Sequence, residues 1–332
     1  MIDPIVRASL DVLPFAQPIV GGDRRDVAFL CIEDEFAIGA ARKIGFGECA
    51  PLAGLHRETL DDAMTALEDF LDGIRDIDDL PPSAAFAASC ALATSAGFGA
   101  SPVPDAKVAA FFAGSAAELL DGEIARLSSA SAVKLKIGRA SEADDRALLE
   151  RALAALPRAR FRLDGNRKLT RSACESLVRG LDAARFEYLE DPLADPSELA
   201  ALAKSTGIAI ALDETVVDRT AAAAELRAQL ARDKAVAVWV LRMSAIGSLD
   251  AIYDAARDAA LHGADVVLST AYESSYTLRL AVHVAAAIPN ARRAHGLGTA
   301  HVLANDVCAS AVVLDGVIAG DALPVPLAEA WE

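Results

Sequence analysis

From about residue 106 to residue 300 the chain repeats one unit: a short apolar run, then a stretch of helical composition, at roughly 25 to 30 residues per repeat. The runs are "VKLKIG", "FRLDGN", "FEYLEDP", "IAIALDE", "VWVLRMS", "DVVLST" and "RRAHGLGT". Segments such as "EADDRALLERALAAL" and "SLDAIYDAARDAALHG" separate them. Strand followed by helix at a steady spacing is the pattern of parallel βα units. With "AKVAAFF" added there are about eight such strands, enough to close a (β/α) barrel. An open doubly wound sheet is the alternative, but no GxGxxG follows any strand and there is no Walker-type loop.

The first hundred residues read differently. "DVAFLCIED" and "EFAIGAARKIGFGECAPL" are expected as strands, and "HRETLDDAMTALEDFLDGI" as a helix with Leu60, Met64, Leu67 and Leu71 on one face. "LPPSAAFAASCALATSAG" is a second helix introduced by two prolines, and "FGASPVPDAK" is a connector. A formal net charge of -16 with no basic block argues against nucleic acid or an anionic membrane as partner. The cysteines Cys31, Cys49, Cys90, Cys174 and Cys308 are scattered and form no CxxC pair, so neither a disulfide framework nor a zinc site is expected. The opening "MIDPIVRASLDVLPF" lacks a signal-peptide core, and no stretch of about 18 apolar residues is free of charge. A cytoplasmic enzyme acting on a small molecule is the expectation, with a homo-oligomer left open.

Polar residues fall at the C-terminal ends of these strands: Lys134 and Lys136, then Asp164, Glu190, Asp213, Arg242 and Ser269. That rim is where barrels build active sites. Taken singly, each carboxylate reads as a turn or cap residue. Taken together, Asp164, Glu190 and Asp213 would repel one another without a counter-charge, and a hard divalent cation with oxygen ligands removes the conflict. Mg²⁺ is expected, with Mn²⁺ as the substitute. The alternative is a salt-bridged set with Lys134, Lys136 and Arg242 and no metal. Lys134 and Lys136, two apart on a strand, point the same way. A lysine beside another cation has its charged form disfavoured and can serve as a general base for a proton next to a carboxylate.

The ordered set "KLK", "DGN", "LEDP" and "LDE" resembles the enolase superfamily, in its muconate-lactonizing branch. "FGECAPLAGLHRETL", "IGSL" and "ESS" add to the likeness, which runs from about residue 20 to residue 305. The resemblance implies an α/β fold, a modified (β/α)7β TIM-like barrel with an α+β capping domain. Residues 1–104 would form the cap, 105–300 the barrel, and 301–332 a tail returning to the cap. It further implies metal ligands at Asp164, Glu190 and Asp213, Lys136 as the acid/base, and Lys134 in support. Asn166, Arg162, Ser269 and Thr270 are the candidate substrate contacts, and loops at "AQPIVGGDRR" and "PLAGLHRE" would close over a carboxylate substrate.

One departure matters. The branch normally has a lysine where this chain has Arg242, and an arginine does not give up its proton. Racemases and epimerases need a base on each face, so Arg242 counts against them. A syn dehydration by Lys136 alone needs one base, with Arg242 as a cationic partner for the intermediate. Other reactions of the superfamily and a non-catalytic metal-binding protein are the alternatives. Ala271 and Thr277 stand around "ESS" where the family more often has Ser and Gly. His56 is expected as a solvated loop residue, and His262, His283, His295 and His301 as structural. Trp239 and Tyr272 are core or pocket wall.

Overall fold

The computed structural model describes residues 7–13, 25–34, 43–303 and 306–326. Most of "AQPIVGGDRR" and the "EFAIGAAR" segment lie outside them. The chain opens with an antiparallel meander of β1 (Arg7–Leu13), β2 (Val27–Asp34) and β3 (Lys43–Cys49). Two helices follow, α1 (Leu60–Leu71) and α2 (Pro82–Ser95). Thr59 and Asp62 cap α1 reciprocally: the Asp62 N–H donates to Thr59 Oγ1 at 3.1 Å, and the Thr59 N–H donates to Asp62 Oδ2 at 3.0 Å. The stripe that α1 buries is Ala63, Ala66, Leu67 and Phe70, with Leu60, Met64 and Leu71 only on its flanks. It is α2 that lies close on the sheet, and this fixes the glycines of "GFGE": a Cβ on Gly47 would stand 1.9 Å from Ala87 O of α2.

The barrel follows, with β4 (Ala106–Lys107), β5 (Ala110–Phe112) and α3 (Asp121–Ser128) first. Then come β6 (Ala132–Lys136), α4 (Glu142–Ala155), β7 (Arg160–Asp164), α5 (Arg171–Val178), β8 (Phe186–Glu190) and α6 (Leu199–Thr206). Next are β9 (Ile210–Leu212), the short α7 (Glu214–Val217), α8 (Ala221–Arg232), β10 (Val236–Arg242) and the short α9 (Met243–Ile246). The last barrel elements are α10 (Leu249–Leu261), β11 (Asp265–Ser269) and α11 (Ser275–Ala287).

Strands β5 to β11 form one parallel seven-stranded sheet in chain order. The eighth stave is the segment at 295–296, which bridges both edges: His295 pairs Val108 and Gly296 pairs Ser269. Its hydrogen bonds close the barrel, His295 N to Lys107 O at 2.7 Å and Gly296 N to Leu268 O at 2.8 Å. Most of the core lies between strands and outer helices, and Trp239 belongs to it. Inside the barrel Tyr188, Ala211, Val238, Val240 and Val267 form a smaller cluster. A bulge in β8 inserts Glu187 opposite the step from Phe161 to Arg162, and Arg162 Nε donates to Glu187 Oε2 at 2.7 Å.

The tail returns along the barrel. β12 (Val317–Ile318) pairs antiparallel with β4, and Leu323 N donates to Gly99 O at 2.8 Å, on the connector that leaves α2.

Candidate active site

Alternation along each strand decides which residues face the barrel axis. On β6, Val133 and Leu135 pack outward while Lys134 and Lys136 point inward. Register sets Lys136 beside Asp164 and Asp164 beside Glu190, and Arg242 beside Ser269. Asp213 follows β9 directly as the N-cap residue of α7. All three carboxylates are 1% exposed.

Each carboxylate is met by a cation. Lys134 Nζ lies 2.6 Å from Asp164 Oδ2 and 2.7 Å from Glu190 Oε1. Lys136 Nζ lies 2.6 Å from Asp164 Oδ2 and donates to Asn166 Oδ1 at 2.6 Å. Arg242 reaches Asp213 with Nη2, while its Nε is 3.4 Å from Asp213 Oδ1. Among the described residues no three carboxylate, histidine or cysteine side chains converge as a ready-made metal cage. The expected gathering of Asp164, Glu190 and Asp213 is therefore present in pieces: two share one ammonium and the third faces Arg242. The physical reason is that buried carboxylates take the nearest positive charge. The donor set itself suits a hard divalent cation, being all oxygen, buried and drawn from adjacent strands, with an ammonium already shared between two of its members.

These contacts separate the two lysines. Burial pushes Lys134 down, but Asp164, Glu190 and Asp213 outweigh it and hold the ammonium charged. Burial and the adjacent Lys134 charge lower Lys136. Asp164 is buried too, yet Lys134 and Lys136 hold it well below the usual carboxylate range. Glu190 is pushed up by burial and by Asp164 and Asp213, against the pull of Lys134. Burial alone would lower Arg242, and Asp213 more than offsets it.

The "DGN" turn is built for this cluster. A Cβ on Gly165 would lie 2.7 Å from Pro192 Cα, so only glycine lets the turn pass. Asn166 takes φ +44°, a conformation asparagine tolerates. Its amide bridges Lys136 to Glu214, with Nδ2 donating to Glu214 Oε1 at 3.1 Å. Asn166, a candidate substrate contact, is in this structure a partner of Lys136, with both ends of its amide engaged. Asp191 and Glu214, the second acids of "LED" and "LDE", were passed over in the sequence. Asp191 Oδ2 accepts from the Asp213 and Thr215 N–H groups, both at 2.9 Å, and so fixes the turn that carries Asp213.

A cavity open to solvent leads onto the cluster. Lys134, Lys136, Glu190, Arg242, Arg162, Ser269, Thr270 and Tyr272 line it, with Phe111, Val240 and Val267 as apolar wall. Tyr272 is thereby pocket wall. Arg162, 1% exposed, stacks over Tyr188 at 5.0 Å and donates to Ala294 O at 2.7 Å. Three polar atoms of this lining, Arg162 Nη2, Thr270 Oγ1 and Thr299 Oγ1, are buried without a hydrogen-bond partner. Thr299 has no signal in the sequence beyond its place in "GLGT". None of the five histidines lines this cavity, and His56, expected as solvated, has a buried Nε2. His295 Nδ1 accepts from Leu268 N at 3.1 Å, and burial followed by Arg162 pushes the ring down to about 4. His56 Nδ1 accepts from Leu52 N at 2.9 Å within its own turn.

A family model for the enolase C-terminal domain-like fold matches residues 116–322, and the chain belongs to the enolase superfamily, in the branch that includes muconate-lactonizing enzymes. Among curated relatives it is 30% identical over 285 residues to the o-succinylbenzoate synthase of Salmonella dublin, spanning 82% of this chain and 84% of the relative. The o-succinylbenzoate synthase of Salmonella typhimurium matches to the same extent. Solved structures of the same fold include a dipeptide epimerase from Enterococcus faecalis, with TM-score 0.81 and 18% identity over 98% of this chain and 100% of that one. Muconate cycloisomerase from Pseudomonas fluorescens gives TM-score 0.74 and 19% identity over 97% and 96%. The barrel with its cap is the fold these proteins share. Among the described residues no helix is long and apolar enough to cross a membrane.

Proposed function

We propose that this chain is a cytoplasmic lyase that dehydrates 2-succinyl-6-hydroxy-2,4-cyclohexadiene-1-carboxylate to 2-succinylbenzoate, in the manner of the o-succinylbenzoate synthases it resembles. The observation that carries the reading is the asymmetry across the cavity: Lys136, lowered by burial and by Lys134, faces an arginine that does not exchange its proton. One base on one face suits a syn elimination and opposes a two-base epimerisation.

In this reading Asp164, Glu190 and Asp213 hold Mg²⁺ or Mn²⁺. When bound, the ion supplies positive charge against the negative charge that builds on the substrate carboxylate as the adjacent carbon loses its proton. Neutral Lys136 takes that proton, giving an enediolate. The ring C–O bond then breaks, a carbon–carbon double bond forms, and the Lys136 ammonium returns the proton to the departing hydroxide as water. Lys134 stays charged and lowers the proton affinity of Lys136. Arg242 lays a planar cation against the anionic ring. The unpaired Arg162 Nη2 and Thr270 Oγ1 atoms, with Ser269, are donors for the succinyl carboxylate and ketone. With Lys136 neutral, Lys134 and Arg242 stand against three carboxylates, so a divalent ion leaves the cluster with one net positive charge, and the unpaired Arg162 Nη2 adds a donor for an anionic substrate.

Conversion of the cyclohexadiene to the aromatic product, followed by absorbance with and without Mg²⁺, tests the proposal. Failure to aromatise it, with proton exchange on other carboxylates, would favour a different reaction of the superfamily. No exchange with any carboxylate would leave only the non-catalytic reading.

A further inference from the structure

The cavity wall formed by Ser269, Thr270 and Tyr272 runs through the loop between β11 and α11. Its backbone is not a resting conformation: Tyr272 takes φ +63°, a costly region for a bulky residue. Two side chains from the cap hold it there. Arg25, just before β2, donates through Nη1 to Ala271 O at 2.9 Å and through Nη2 to Tyr272 O at 3.1 Å. Glu48 of β3 accepts from the Ser274 N–H at 3.0 Å, from Ser274 Oγ at 2.5 Å and from Thr277 Oγ1 at 2.6 Å. Glu48 is 1% exposed and sits at the N-terminus of α11, where the first-turn N–H groups favour an anion.

The anchors divide the site. Lys136 and its carboxylate partners are set by the ladder of β6 to β8, which needs no help from the cap. The opposite wall is tied within the barrel through Glu273, which accepts from the Ala271 N–H and from Ser244 Oγ, and its remaining anchors cross from cap to barrel. We propose that Arg25 and Glu48 are positioning residues: they set the Thr270–Ser274 loop so that Ser269, Thr270 and Tyr272 face the cavity, and they make substrate affinity, more than proton transfer, depend on docking of the cap. This rests on the reading that the cavity takes the substrate.

Amide hydrogen exchange by mass spectrometry on the whole chain without substrate tests the positioning. Glu48→Leu and Arg25→Met remove the acceptor and the donors. Glu48→Gln keeps one oxygen for the Ser274 N–H, and the hydroxyls of Ser274 and Thr277 can turn to accept from its amide. At pH 5, where Glu48 keeps its proton, the expected result is a rise of ~10-fold or more in exchange over residues 269–278 for Leu and Met, a change under ~2-fold for Gln, and no change at the ends of β6 to β8. If Glu48→Leu fails to fold, Thr277→Val, which removes a single donor, should raise exchange in the same segment by ~3-fold. A rise spread evenly over cap and barrel, or Leu and Gln behaving alike, would overturn the proposal. In turnover, Arg25→Met and Thr277→Val should raise KM about 10-fold and leave kcat within about 3-fold. A fall in kcat at unchanged KM would overturn it. If the wild-type chain does not turn over the cyclohexadiene at all, the dehydratase reading fails, while the exchange result still decides on the loop.

Discussion

Replacing Glu48 by glutamine should make the protein more stable at pH 8 and leave it almost unchanged at pH 5. Burial, reinforced by the Glu273 charge, raises the Glu48 carboxyl from 4.5 to about 7 in spite of the hydrogen bonds from Ser274 and Thr277. The folded protein therefore keeps a proton between pH 4.5 and 7 that the unfolded chain has released. Stability falls as pH rises through that window, and the loss is complete above it. At about 1.4 kcal/mol per tenfold change in proton affinity, the full cost is about 3 kcal/mol. An unfolding entropy of ~0.7 kcal/mol/K for a chain of 332 residues turns this into roughly 4 °C. Glutamine does not ionise, so its melting temperature should exceed that of the wild type by that amount at pH 8, and the gap should close toward pH 5. Calorimetric scans of both proteins from pH 5 to 8 measure it, and groups that titrate in both cancel in the difference. Melting temperatures that run parallel across the range would refute the reasoning.

The remaining expectations concern the cluster of charges. Lys136→Ala should lose turnover and α-proton exchange in D₂O by at least ~10³-fold, and exchange surviving in it would mean that another residue takes the proton. Asp213→Ala should bind Mg²⁺ or Mn²⁺ far more weakly by calorimetry, whereas equal binding by both proteins would remove Asp213 from the metal site. Arg242→Lys should keep fold and metal but lower the dehydration rate by roughly 10-fold, and Arg242→Met by more, because one cation contact in a desolvated site is worth about 1 to 2 kcal/mol. A rate in Arg242→Lys well above wild type would show that the arginine is a defect.

The barrel was legible because six of its strands, β6 to β11, announce themselves twice, by an apolar run and by a polar residue at or just past the end. Lys134, Lys136, Asp164, Glu190 and Arg242 could be read from alternation alone, since a strand leaves a side chain only two directions. What the sequence hides is contact between distant segments. Arg25 and Ala271 are 246 residues apart and Glu48 and Ser274 are 226 apart, and neither pair shares a periodicity. Asp191 and Glu214 were missed for another reason: each stands next to a more conspicuous acid and looks redundant beside it. The stripe of α1 was placed only in part, Leu67 lying on it and Leu60, Met64 and Leu71 beside it, because alanine carries little weight in a hydrophobic pattern and Ala63 and Ala66 went unweighed.

Neighbouring staves of the barrel are held about 4.8 Å apart by their hydrogen bonds, and Lys136, Asp164 and Glu190 stand side by side on three of them. The ladder is a ruler marked only in whole steps. A substitution on it cannot slide a charged group by a fraction of an ångström; it can only change what kind of group stands at the mark. Lineages of this fold are therefore expected to differ at these marks abruptly, lysine for arginine in one move. Gradual tuning is left to the cap and the loop it holds.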